Sequence, residues 1–226
     1  MTSISQDRPF IRALVGVGIA AAALVALAPA AQTAPKHQAV IPGCAPAVAG
    51  QPNGKQWPTE PALTIDTSAS HTATLETTCG TVSIALDAAA APRTVNSFAF
   101  LAGEGYFDHT RCHRLTTQGI FVLQCGDPTA TGMGGPGYKF SDENLAGAVY
   151  PAGTVAMANA GPGTNGSQFF LVYRDTQLPP NYTPFGTITE GMDALTNVAN
   201  AGVAGGGADG TPVADVVFNA VTTAHG

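Results

Sequence analysis

Beyond residue 70 the chain is cut so often by glycine, proline and asparagine that its apolar runs stay short. Short runs rich in Val, Ile, Thr and Phe between turn residues suit strands and leave no room for a helical bundle. The runs are HTATLETT and TVSIALD, joined by Cys79-Gly80 as a β-hairpin, then CHRLTT, IFVLQC, TVAMANA, QFFLVY and PFGTIT, and a closing strand over Val213–Val221. Two stretches carry helical spacing instead. Val95, Phe98 and Leu101 fall three apart, with Pro92 in the first turn and Gly103 past the end. Met192, Leu195 and Val198 repeat that step within Met192–Ala199. Strands this closely spaced with few helices between them predict a mainly β fold, a closed antiparallel barrel.

The segments ahead of this domain read differently. After Arg8 and Arg12 the stretch Ala13–Ala28 carries no charge, and Ala28-Pro29-Ala30 sets small residues at the −3 and −1 positions of a cleavage site after Ala30. Residues 1–30 therefore read as a signal peptide, and the chain as secreted or held in the cell envelope. The apolar core is shorter than the ~20 residues a span needs, so a membrane is involved only if the segment stays uncleaved. Residues 31–70, rich in Pro, Ala, Gly and Gln, show no period of 2 or 3.6 and read as a linker or arm. Trp57, Leu63 and Ile65 are the residues expected to dock its end on the domain of residues 71–226. Export would put Cys44, Cys79, Cys112 and Cys125 where disulfides persist. Cys112 and Cys125 flank two neighbouring strands, which favours that pair and leaves Cys44 to Cys79; free buried thiols are the other reading.

Charge excludes one class of partner. With 15 acidic against 9 basic side chains, a net charge of −6, and Lys139 and Arg174 the only cations beyond residue 114, the chain lacks the footprint that nucleic acid demands. Ser167 sits in NGSQF, which lacks the second glycine of a nucleophile elbow. His109 and His113 lie four apart in a segment expected to run as a strand, which separates them by ~13 Å and disfavours a metal. The glycines of Gly132–Gly137 lack a phosphate-binding lysine and a following helix, so they read as a flexible surface loop. Arg114 is harder to place. An arginine within an apolar strand is costly to bury alone, so it must pair with a carboxylate such as Asp127 or open on a cleft. Without further information Phe121, Met157 and Phe170 read as core, and Gln124 and Gln168 as solvent-facing strand residues.

Four segments change that reading: Cys112-His113-Arg114-Leu115, Phe121–Asp127 (FVLQCGD), Met157–Phe170 (MANAGPGTNGSQFF) and Pro184-Phe185-Gly186. In order and spacing they resemble the signature segments of cyclophilins, over about His71 to Val221. The resemblance implies a secreted bacterial peptidyl-prolyl cis-trans isomerase with an eight-stranded barrel and two helices. It implies Arg114 as the catalytic arginine with Gln124 beside it, and Phe121, Met157, Phe170 and Leu178 as walls of a proline pocket. Ala158 and Asn159 correspond to positions whose backbone holds the peptide, and Gln168 lines the same groove. Tyr182 stands where many cyclophilins have histidine and Gln177 where many have tryptophan, and the turn between Arg114 and Phe121 is two residues longer. The implied partners are proline-containing peptides and unfolded exported proteins, met by a monomer. Bond rotation needs neither metal nor cofactor, and none is expected. A proline-peptide binding module without turnover is the alternative.

Overall fold

The computed structural model describes residues 41–226, so the expected signal peptide and its cleavage site lie outside the described residues. The hairpin forms as β1 (His71–Thr77) and β2 (Gly80–Leu86), in register from His71 opposite Leu86 to Thr77 opposite Gly80. Helix α1 (Pro92–Gly103) follows. Its leading residue, Ala91, has no side chain to cap the orphan N–H groups of the first turn. A distant carboxylate does so: Glu143 accepts from the backbone N–H of Arg93 at 3.1 Å and of Thr94 at 2.8 Å.

Then come β3 (Arg114–Thr116), β4 (Val122–Cys125), β5 (Thr154–Met157), β6 (Phe169–Val172) and β7 (Pro184–Glu190). Helix α2 (Met192–Ala201), β8 (Asp209–Gly210) and β9 (Phe218–His225) complete the chain. The sheet has nine strands in the order β8-β3-β4-β6-β5-β7-β2-β1-β9. It curls but stays open, which corrects the expected closed barrel of eight strands: among the described residues its end strands β8 and β9 are not paired. Arg111 makes isolated bridges to Val217, just ahead of β9, and to Asp127, just past β4. The reason lies in the closing segment, where Pro212 and a tight turn from Ala214 to Val216 interrupt the ladder. The expected strand over Val213–Val221 therefore begins only at Phe218.

The main core fills the curl. Leu75, Ile84, Leu115, Leu123, Phe169, Leu171, Phe185 and Phe218 are buried there. Helix α1 delivers Val95, Phe98 and Leu101, the residues its spacing singled out. Phe98 stacks on Phe107 at 5.1 Å and meets Phe169 edge-on at 5.5 Å.

Residues 41–70 run along the domain. Trp57 packs edge-on against Phe100 at 5.1 Å and donates its backbone N–H to Pro136 O at 2.8 Å. Lys55 pairs with Glu104 at 2.8 Å, and Asn96 Oδ1 accepts from the N–H groups of Thr64 and Ile65. Ile65 packs on the core, but Leu63, expected to dock, stays 57% exposed. All four cysteines are paired, Cys44 with Cys79 and Cys112 with Cys125, which sets aside the reading as free thiols.

The Cys44–Cys79 bond closes the longer loop, 35 residues against 13 for the other. Chain-entropy arithmetic assigns it about 4 kcal/mol. Replacing Cys44 and Cys79 together by serine is expected to lower the unfolding free energy by about 3–4 kcal/mol in urea titrations. Because Trp57 is the sole tryptophan, its emission should report the loosened arm directly.

Candidate functional site

Side chains alternate across a strand, so register decides which residues share a face. Arg114 on β3 lies opposite Gln124 on β4, and Gln124 lies opposite Phe170 on β6. Val122 pairs with Val172 and Ala156 with Phe170, so these residues share one face. The residues between them, Leu115, Leu123, Phe169 and Leu171, point into the main core. The site residues thus lie on the outer face of the curled sheet.

There a second apolar cluster forms from Val122, Tyr150, Ala156, Phe170 and Val172, with Ala158, Leu178 and Tyr182 packed on its edge. Tyr182 meets Phe170 edge-on at 5.6 Å. Its backbone is pinned by the Tyr150 hydroxyl, which donates to Tyr182 O at 2.8 Å and lies 3.1 Å from Tyr182 N–H. Phe121, just ahead of β4, donates its N–H to Thr176 Oγ1 at 2.9 Å, and the Arg174 guanidinium covers its ring at 3.3 Å. Phe170, Leu178, Ala158 and Tyr182 are therefore brought together.

Met157 is not among them. It pairs with Phe169 rather than Phe170, so parity turns its side chain into the main core, where it is buried. Val122 supplies the aliphatic surface beside Phe170 instead. Counting by two from Gln124 along β4 would have found it.

The polar part of the site is a hydrogen-bonded row. Arg114 Nε and Nη2 each donate to Asp209 at 2.7 Å, and Nη1 donates to Gln124 Oε1 at 3.2 Å. Gln124 Nε2 donates to Gln168 Oε1 at 2.9 Å, and Gln168 Nε2 donates to Gly134 O at 2.9 Å. The expected carboxylate partner, Asp127, is replaced by Asp209. That residue arrives on β8, opposite Thr116 of β3, and no motif marks it in the sequence. The hydrogen bonds between them raise the Arg114 pKa and lower that of Asp209, so both are charged at neutral pH.

Asp127 has another task. Fully buried, it accepts at Oδ1 from Thr129 N–H and Oγ1, both 2.7 Å, and at Oδ2 from Thr131, Gly132 and Gly134 at 3.1, 2.7 and 3.1 Å. Burial alone would raise its pKa, but bonds from Thr129, Gly134 and Gly132 outweigh that and hold it below the usual carboxylate range. The glycine-rich segment expected as a flexible surface loop is thus clamped from beneath. Gly134 is required there, because a Cβ would lie 2.0 Å from Asp127 Oδ1.

The clamped loop walls a cleft of about 440 Å³ that also takes in Gln124, Gln168, Ala158, Asn159 and Gln56. Ala158 N–H donates to Gln168 O at 2.9 Å. The Asn159 side chain faces its own protein, donating from Nδ2 to Asn181 O at 2.8 Å. Ser167 is structural, its Oγ donating to Gly126 O at 2.7 Å. The two histidines serve separate neighbours, His109 against Gly50 and His113 against Gly132. They stand outside any strand, since β3 begins only at Arg114.

Residues 72–223 match the family described as cyclophilin type peptidyl-prolyl cis-trans isomerase. The probable peptidyl-prolyl cis-trans isomerase B of Mycobacterium leprae is 47% identical over 184 residues, covering 75% of this chain and 60% of the relative. Its Mycobacterium tuberculosis counterpart is 46% identical over 184 residues, covering 75% and 58%. The chain thus spans about three fifths of the length of these curated relatives. Among solved structures, a Cryptosporidium parvum cyclophilin type isomerase superposes with a TM-score of 0.61 at 28% identity, covering 69% of this chain and 98% of that one. The same protein solved in the presence of the dipeptide Ala-Pro gives 0.60 at 30% identity, covering 67% and 97%.

Asp127→Asn should free the glycine-rich loop, since an amide cannot accept at both positions. An unfolding-energy loss of about 2–4 kcal/mol is expected. The wild-type pH dependence follows from the lowered pKa. Asp127 contributes fully well above about pH 3.9, and that contribution is lost as the pH falls through the lower folded value. Denaturant titrations from pH 7 to pH 2 should show a steeper acid loss in wild type than in Asp127→Asn.

Proposed function

The chain belongs to the cyclophilin-type peptidyl-prolyl cis-trans isomerase family, and from that membership we propose that it accelerates rotation about X-Pro bonds in proline-containing peptides and unfolded exported proteins. The observation that carries the reading is the juxtaposition on one sheet face of a charged fork, Arg114, with the apolar surface of Phe170, Val122 and Leu178. Arg114 lies two strands from Phe170, roughly 10 Å at the ordinary strand spacing, which suits a proline ring seated beside a donor for its bond. A solved relative crystallised in the presence of Ala-Pro supports the substrate class. The two disulfides support work in an oxidising compartment.

The chemistry asks for little beyond electrostatics and shape. Amide resonance opposes rotation by ~18–20 kcal/mol, and an uncatalysed X-Pro bond turns over in tens to hundreds of seconds. Bringing that to milliseconds takes roughly 7 kcal/mol off the barrier. Halfway through the turn the proline nitrogen regains its lone pair and can accept a hydrogen bond, which the planar amide nitrogen cannot. A guanidinium has five N–H donors, of which Asp209 and Gln124 take three. Two are left for that lone pair.

One charge-assisted bond supplies about 1.5–3 kcal/mol, so Arg114 alone falls short. The remainder comes from differential binding: Phe121, Phe170 and Leu178 hold the ring while the peptide turns, and the clamped loop with Gln168, Ala158 and Asn159 holds the chain beside it. Tyr182 closes the cluster at the position where many cyclophilins carry histidine.

Exchange NMR on an Ala-Pro peptide with catalytic amounts of protein tests the reading. Wild type should accelerate exchange, and Arg114→Ala should lose about 10–100-fold of that acceleration, the worth of one charged hydrogen bond. Equal rates in the two proteins would overturn the assignment. Peptide binding without exchange enhancement in wild type would select the binding module instead.

A further inference from the structure

We propose that Asp209 is a positioning residue that locks the Arg114 guanidinium in the orientation offering its two free N–H groups to the bound X-Pro bond. This rests on the isomerase reading above and adds a residue to it. Arg114 is a long side chain, and its plane is fixed here on two flanks, by Asp209 across Nε and Nη2 and by Gln124 at Nη1. A bidentate fork fixes direction as well as distance. Without Asp209 a single 3.2 Å contact to Gln124 would remain.

The backbone that presents Asp209 is itself pinned. Strand β8 pairs Asp209 with Thr116 and Gly210 with Leu115. On one side Thr117 N–H donates to Ala208 O at 2.8 Å, and on the other Ala204 N–H donates to Thr211 O at 2.8 Å. The carboxylate therefore arrives on a held strand at the end of the glycine-rich turn, and its place survives removal of the side chain.

Two other tasks for Asp209 fit less well. As a stabilising ion pair it would achieve little, because Arg114 and Asp209 are 39% and 53% exposed and water screens such pairs. As a brake, its negative charge would weaken the pull of Arg114 on the proline lone pair. The same screening limits that effect, whereas loss of orientation is undiminished by solvent.

The measurements are kcat and KM by exchange NMR on an Ala-Pro peptide, together with thermal unfolding and the Arg114 Nε–H resonance. Asp209→Ala is expected to lower kcat about 10-fold with KM within twofold and the same melting temperature. Asp209→Asn, which keeps one acceptor, should recover part of the loss, to about threefold below wild type. The Nε–H signal should be protected from solvent exchange in wild type and unprotected in Asp209→Ala. On an Arg114→Ala background, Asp209→Ala should have no further effect. A kcat that is unchanged or raised, a loss confined to KM, or an additive loss on the Arg114→Ala background overturns the proposal. An inactive wild type would instead overturn the isomerase reading itself.

Discussion

A guanidinium at a partly open surface is useful only if it is held still, and the site is organised around that constraint. Arg114 sits between Asp209 and Gln124, and the row continues through Gln168 to Gly134. Each member fixes the next. Arg114 can only donate, so Gln124 must present its oxygen to Arg114 and its amide nitrogen to Gln168, and Gln168 must do the same toward Gly134. A single charged group thereby orients two neutral amides and ties β8, β3, β4 and the glycine-rich loop into one surface.

Beneath the row lies a second anchor, joined to it at Gly134. Asp127 gathers five hydrogen bonds from Thr129, Thr131, Gly132 and Gly134 and holds the far wall of the cleft. The Cys112–Cys125 disulfide staples β4, at the residue after Gln124, to the chain just ahead of Arg114. The segment of residues 41–70 supports the same wall from outside, through Trp57 N–H on Pro136. The apolar cluster lies on the central strands, while the row begins at the end strand β8, where pairing with β3 on one side is enough to present Asp209.

Strand parity explains most differences between the residues expected at the site and those found there. Phe170, Gln124 and Arg114 occupy matching positions on successive strands and meet on one face. Met157 is one step out of phase and joins Phe169 in the core, while Val122, two steps from Gln124, takes the outer position. In a motif read as a string these residues are equivalent; in a pleated strand they face opposite ways.

Local pattern was enough for what depends on near neighbours. The hairpin at Cys79-Gly80, the amphipathic step of Val95, Phe98 and Leu101 and the mainly β class were legible in the chain, because turn chemistry and periodicity act over a few residues; the roles of Arg114, Gln124 and Phe170 were legible only through the resemblance of their ordered segments to a known family. Other features came only with the packed chain. Asp209 reaches Arg114 across 95 positions, through a two-residue strand too short to carry a pattern. Asp127 bonds to residues only two to seven positions ahead, but its burial beneath the glycine-rich loop, which makes that loop a wall, is decided by the fold. Which backbones lie side by side and which side chains are buried are properties of the packed chain that no window of residues contains.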